Sequence, residues 1–244
     1  MNKRKLVALC LIVCLLAIAM VGGSLAFFTD TDAAKNVMVI GNVAIEQNEQ
    51  QRDDNGQLVD FVQNQKLFPM VDNRAAGEPT TVDGYFNSKM ANVVDKIVTV
   101  TNTGSEPAYV RTILAFETVR SYAEGSDTDF TDLHDEYFGI LGDVEYLDRY
   151  ITVDGVEYVL ALCVYEEALA KDATTAPSLK QFFLAPTADN KTSEWFGEEY
   201  TILAVSQGVQ TEGFTSAEEA LNRAFGDPAT LELSEIQSWF TSNS

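Results

Sequence analysis

Histidine occurs once in this chain, at His134, and cysteine three times, at Cys10, Cys14 and Cys163. That supply limits the chemistry. A hydrolytic zinc site normally takes three protein ligands, imidazole or thiolate prominent among them. Any Ser-His-Asp triad would have to use His134, and neither a Gly-x-Ser-x-Gly nor a His-Glu-x-x-His stretch is present. Cys163 sits in the apolar run from Val159 to Tyr165. A reactive thiol wants an electropositive, accessible setting, so an inert buried thiol is expected here. Carboxylates are plentiful. Asp127, Asp129 and Asp132 lie close together in an acidic stretch and are weak calcium candidates, since calcium takes several oxygen ligands. The calcium-loop pattern of helix-loop-helix proteins fails, because its sixth place lacks glycine and its twelfth holds Phe138. The expectation is a solvated acidic loop, no cofactor and no enzyme.

The N-terminus has the three-part layout of a secretory leader. Lys3, Arg4 and Lys5 precede an uncharged apolar run from Leu6 to Val21, and Gly22-Gly23 break it. Ser24-Leu25-Ala26 is a small-x-small site, so cleavage is expected before Phe27. The run is shorter than a spanning helix wants. Membrane contact is therefore expected only through the uncleaved leader, residues 1–26. The remaining residues, 27–244, retain all 37 acidic residues and lose three of the 16 basic ones, so they are more negative than the −21 of the whole chain. Such a surface repels phosphate backbones, which argues against nucleic-acid binding. One cysteine remains after cleavage, so no intramolecular disulfide is expected.

The body reads as strands joined by turn-rich loops. Asn36 to Ile45 is rich in β-branched residues, and Asp54-Asn55-Gly56 signals a short hairpin. Lys96–Thr101, the turn at Asn102–Ser105 and Ala108–Phe116 read as two strands and a hairpin turn. Alternation puts Val110, Thr112, Leu114 and Phe116 on one face of the second strand, and Tyr109, Arg111, Ile113 and Ala115 on the other. Arg111 is read as a surface residue covering apolar area with its stem, ahead of a partly buried partner for a carboxylate. Asp154-Gly155 between Tyr150–Val153 and Val156–Leu160 is a strong hairpin signal. Tyr165 to Lys171 is expected to turn helical, and Tyr200 to Gln207 to form a strand. Ser216 and Glu219 fit a capping box opening a helix that stops at Gly226, and Ser234 caps a second short helix. The expected fold is all-β: an antiparallel, jelly-roll-like sandwich of residues 27–244, with short helices in loops and at the C-terminus. No C-terminal apolar anchor or sortase-type signal is read.

Three stretches carry a resemblance. The leader end, Gly22-Gly23-Ser24-Leu25-Ala26 followed by Phe27-Phe28-Thr29-Asp30, resembles leaders processed by SipW-type signal peptidases. Asn36, Val37 to Ile40 and Gly41 match the start of that family's mature chains. Val100 to Arg111, and Val209 to Phe214 with the helix at Ala217-Glu218-Glu219-Ala220, are similar to the branch that includes BsaA-type clostridial matrix proteins. Leu221 stands where that branch commonly has an aromatic. The resemblance implies a TasA/camelysin-like jelly-roll protein of a Gram-positive-type cell. TasA-like members build biofilm fibres by giving an N-terminal strand to the next subunit. Camelysin lends the family a metallopeptidase label, which the residues here do not support.

The expectation that follows is a secreted fibre subunit at the cell surface or in the extracellular matrix. Its partners would be a SipW-type signal peptidase, further copies of itself, and a minor anchoring or accessory matrix protein. Phe27, Phe28, Val37, Val39 and Ile40 would form the assembly strand, completing a neighbour's open sheet edge. A head-to-tail contact of that kind does not close and yields a filament. A monomeric adhesin or ligand-binding module is the alternative, and a camelysin-like metallopeptidase a distant third.

Overall fold

The computed structural model describes residues 29–32, 43–197 and 199–241. In chain order the long strands are β2 (Ile45–Arg52), β8 (Val93–Asn102), β9 (Ala108–Glu117), β13 (Glu145–Val153), β14 (Val156–Leu169), β15 (Leu179–Leu184) and β16 (Ile202–Gln210). Short strands are β1 (Thr29–Asp32), β3 (Leu58–Asp60), β4 (Val71–Asp72), β5 (Thr81–Val82), β6 (Tyr85–Phe86), β7 (Met90–Ala91), β10 (Arg120–Tyr122), β11 (Phe130–Asp132) and β12 (Phe138–Gly142). Four helices complete the described chain: α1 (Leu133–Tyr137), α2 (Asn190–Phe196), α3 (Ala217–Phe225) and α4 (Leu233–Thr241). The architecture is all-β. One five-stranded sheet runs β1-β16-β9-β14-β13 and the other β12-β15-β8-β2-β3. Every strand pairing in both is antiparallel.

The two sheets share one core. Val98 and Leu179 of the second sheet pack with Leu114, Phe116, Val159 and Ala161 of the first. Burying each such side chain stabilises by roughly 1.5–3 kcal/mol. β9 is buried on both faces, because its inner face meets the opposite sheet and its outer face meets the C-terminal helices. Alternation along β9 follows the pattern read from the sequence: Leu114 and Phe116 face inward, and Ile113 and Ala115 pack outward with Ile236 of α4.

Several local readings hold. Asp154-Gly155 joins β13 to β14 with both residues at positive φ, 51° and 86°. That is the requirement of the tight turn matching the twist of a two-stranded ribbon. Asn55-Gly56 lies in the turn between β2 and β3. Ser216 caps α3 by accepting from the Glu219 amide at 3.2 Å, and Gly226 ends the helix.

Others need correction. The turn at Asn102–Ser105 does not close a hairpin: β8 and β9 lie in different sheets, so the chain arches across the core. Asn102 organises the arch, its amide donating to the Glu106 and Leu169 carbonyls, both at 2.8 Å. Tyr165–Lys171 does not become helical. β14 runs on to Leu169, because Tyr165 and Leu169 pair with Val110 and Ala108 of β9. The acidic stretch is not one loop but the β10–β11 ladder followed by α1. α4 begins at Leu233, one residue before its expected cap Ser234.

Candidate functional site

The sequence directs attention first to the strand behind the expected cleavage site. The residues expected at that site, Ser24, Leu25, Ala26 and Phe27, lie outside the described residues, as do those expected to form an assembly strand, Phe27, Phe28, Val37, Val39 and Ile40. Between them, β1 is described. It forms the outermost strand of its sheet, pairing with β16 from Thr29↔Val209 to Asp32↔Ser206. The pairing is within one chain. On the side of β16 away from β9, Ile202–Val205 have no strand partner among the described residues. The opposite edge of the same sheet, β13, is treated differently. Arg149 reaches from it to the carbonyls of Pro228 and Leu231, at 2.6 and 2.5 Å, and α4 packs beside it. In the other sheet β3 is a short edge strand that exposes Leu58 and Val59.

The three residues of the acidic triplet take different settings. Asp127 and Asp129 are exposed, whereas Asp132 is the N-cap of α1 and accepts from the His134 amide at 2.9 Å and from the Thr118 hydroxyl. Among the described residues no three His, Cys, Asp or Glu side chains converge to hold a metal ion.

His134 is 1% exposed. Its Nδ1 lies 2.6 Å from the Tyr200 hydroxyl and its Nε2 2.8 Å from the Tyr146 hydroxyl. The ring stacks on Phe116 at 4.9 Å and on Phe138 at 5.9 Å between centroids. Burial drives its pKa down to about 4, against a smaller opposing pull from Asp132. Burial likewise pushes the hydroxyls of Tyr146 and Tyr200 upward. No serine or threonine hydroxyl touches the ring nitrogens, since both are taken by tyrosines. His134 therefore knits three segments together around an aromatic cluster. Cys163 is buried, and desolvation raises its thiol to about 11. A thiol in that state is neutral and unreactive at neutral pH. It lies at the wall of a cleft of about 390 Å³, lined also by Asp143, Glu145, Glu166, Glu218 and Asp227.

Arg111 departs from the surface reading. It is 1% exposed, and it finds no carboxylate within hydrogen-bonding distance. Its guanidinium donates to Gln207 Oε1 at 2.7 Å, to Asn222 Oδ1 at 2.9 Å and to the Gly226 carbonyl at 2.9 Å. The last is the C-terminal end of α3, where the helix dipole favours a cation. Burial lowers its pKa to about 10, with Asp227 opposing, so it stays charged at neutral pH. The sequence signal for this was α3 itself, whose end must be capped by something.

A second buried polar group bridges the sheets and was not anticipated. Ser206 of β16 and Thr112 of β9 are both fully buried, with their hydroxyls 3.1 Å apart. The Ser206 hydroxyl donates across the core to Gln47 Oε1 of β2 at 2.7 Å.

Set against known proteins, the chain matches no family model, no curated protein and no solved structure.

Proposed function

We propose that this chain is a secreted structural subunit of a surface or biofilm-matrix fibre, assembling head to tail by donating its N-terminal strand. The observation that carries this reading is the position of β1. The segment following the leader is the outermost strand of a sheet, and it is attached there through pairing with β16 alone in that sheet. An element that pairs in this way within one chain can pair identically with the same edge of another copy, which is the low-cost route to exchanged assemblies. The connectivity supports a jelly-roll-like sandwich. From β12 the chain passes to β13 and β14 in the opposite sheet, returns at β15, and crosses again to β16. The resemblance of the leader to SipW-type leaders, and of Val100–Arg111 to BsaA-like matrix proteins, points the same way. A SipW-type signal peptidase and a minor anchoring or accessory subunit are the partners it implies.

The pairing of β1 with its own chain also favours a second reading, a monomeric adhesin whose N-terminal strand simply completes its own sheet. Electron microscopy separates the two. Protein beginning at Phe27 is expected to form filaments, and protein lacking residues 27–32 to remain a folded monomer. Filaments from the truncated protein at the full-length rate would refute strand donation. An unfolded truncation, with a monomeric parent, would establish the adhesin reading.

A further inference from the structure

The bridge between the sheets holds more than a hydrogen-bonded network requires. Ser206 and Thr112 satisfy one another, and Ser206 donates to the Gln47 carbonyl. Gln47 Nε2 is then 3.4 Å from Glu49 Oε1 and 3.4 Å from the Ala204 carbonyl. Glu49 is itself fixed, because its other oxygen forms an ion pair with Lys96, whose side chain is only 6% exposed. One nucleophile type, one carboxamide and one carboxylate thus converge. The hydroxyl lies at the carbonyl end of the amide and the carboxylate at its nitrogen end.

We propose that Ser206 and Gln47 become joined by an ester cross-link that forms in the folded protein without any other reactant. Ser206 Oγ attacks Gln47 Cδ and its proton passes to Gln47 Oε1, to which it is already hydrogen-bonded; as the tetrahedral adduct collapses, that proton moves to Nε2 and the Cδ–Nε2 bond breaks. Ammonia leaves, and nothing is oxidised or reduced. Holding an alcohol against an amide in a fixed geometry raises its effective concentration to roughly 10⁵–10⁸ M in favourable cases. That is the advantage a slow alcoholysis needs. The Glu49 carboxylate, 3.4 Å from Nε2, positions the departing nitrogen. Ser206 and Thr112 are fully buried, so the attacking hydroxyl is shielded from water, while Gln47 is half-buried. Thr112 orients the attacking oxygen by hydrogen bonding to it. The product would tie β2 to β16, the last strand of the opposite sheet, so that the sandwich could no longer open along that seam. The cross-link does not depend on whether subunits assemble.

Intact-mass spectrometry of the purified, folded protein tests this. The expected mass is lower than that of the sequence by one ammonia, and proteolysis yields one branched peptide containing both Gln47 and Ser206. Mild hydroxylamine, which cleaves esters and spares amides, separates that peptide into its two halves. Ser206→Ala restores the full mass. Glu49→Gln slows the loss at least tenfold in a time course started by refolding, while circular dichroism shows the fold retained. Should Ser206→Ala not fold, the branched peptide from the unaltered protein decides alone. Folded, aged protein of full sequence mass overturns the cross-link. So does an ammonia loss that maps elsewhere, for instance to Asn55-Gly56.

Discussion

The buried imidazole of His134 makes stability depend on pH in a way that can be isolated. The folded state holds this ring neutral down to about pH 4, whereas a free imidazole titrates near 6.5. Above pH 6.5 neither state binds the proton and the ring contributes no slope. Between 6.5 and 4 the unfolded chain takes up a proton that the folded chain refuses, so stability falls as the pH falls. Below 4 both states are protonated and the loss stops. The gap corresponds to about 3 kcal/mol, at roughly 1.4 kcal/mol per pKa unit, and burial removes solvent screening as a discount. Charges facing the ring are few: Asp132 at the cap of α1, and the neutral hydroxyls of Tyr146 and Tyr200. The perturbation is His134→Gln, which keeps hydrogen-bonding capacity and cannot titrate. Urea unfolding of both proteins, in steps from about pH 7 to about pH 4, gives the difference in free energy. Carboxylates titrate in both proteins, so they cancel in that difference. The variant is expected to be the less stable at neutral pH, with the gap narrowing by about 3 kcal/mol on acidification. A gap that stays constant across the range would show that the ring is not held neutral, and the burial argument would fail.

Substitutions at two further positions probe the frame. Arg111→Ala strands three acceptors and opens a cavity under α3, so a loss of about 3–5 kcal/mol is expected from the urea midpoint. Arg111→Met, which keeps the packing and removes the desolvated charge, should lose distinctly less. Gly142→Ala would push a methyl group into the Ser178 carbonyl oxygen, which is backbone and cannot swing away. A loss of about 1–3 kcal/mol in thermal or urea unfolding is expected, with β12 loosened in hydrogen exchange.

Local signals in the sequence were legible where one short segment decides its own conformation. Asp154-Gly155 dictates a turn because both residues accept positive φ. Ser216 and Glu219 dictate a helix start because a hydroxyl three residues ahead of an amide satisfies it. What failed was partner choice. Two alternating strands joined by Asn102–Ser105 look the same whether they pair with each other or cross to opposite sheets. The deciding group is the buried Asn102 amide, whose acceptors include Leu169, far along the chain. Glu166, Glu167, Ala168 and Leu169 favour a helix by composition, yet β14 runs through them, with Leu169 pairing with Ala108 of β9. β12 went unread because glycines at 139 and 142 discount a strand, although close contact with β15 is what requires a small residue at 142. The buried site at Ser206 had no local signature either, since Gln47 and Ser206 are 159 positions apart.

The acceptors of Arg111 carry a consequence for the order in which the chain matures. A ribosome delivers residues from the N-terminus onward. The guanidinium at position 111 is made about a hundred residues before its partners at 207, 222 and 226. Until residue 226 is available, the outer face of β9 presents a cation amid the apolar Ile113 and Ala115 with no helix over it. A growing or prematurely ended chain therefore keeps that face wet and accessible to proteases. That face is covered once α3 and α4 lie over it. The arginine thus ties closure of the outer face of β9 to residues made up to position 226.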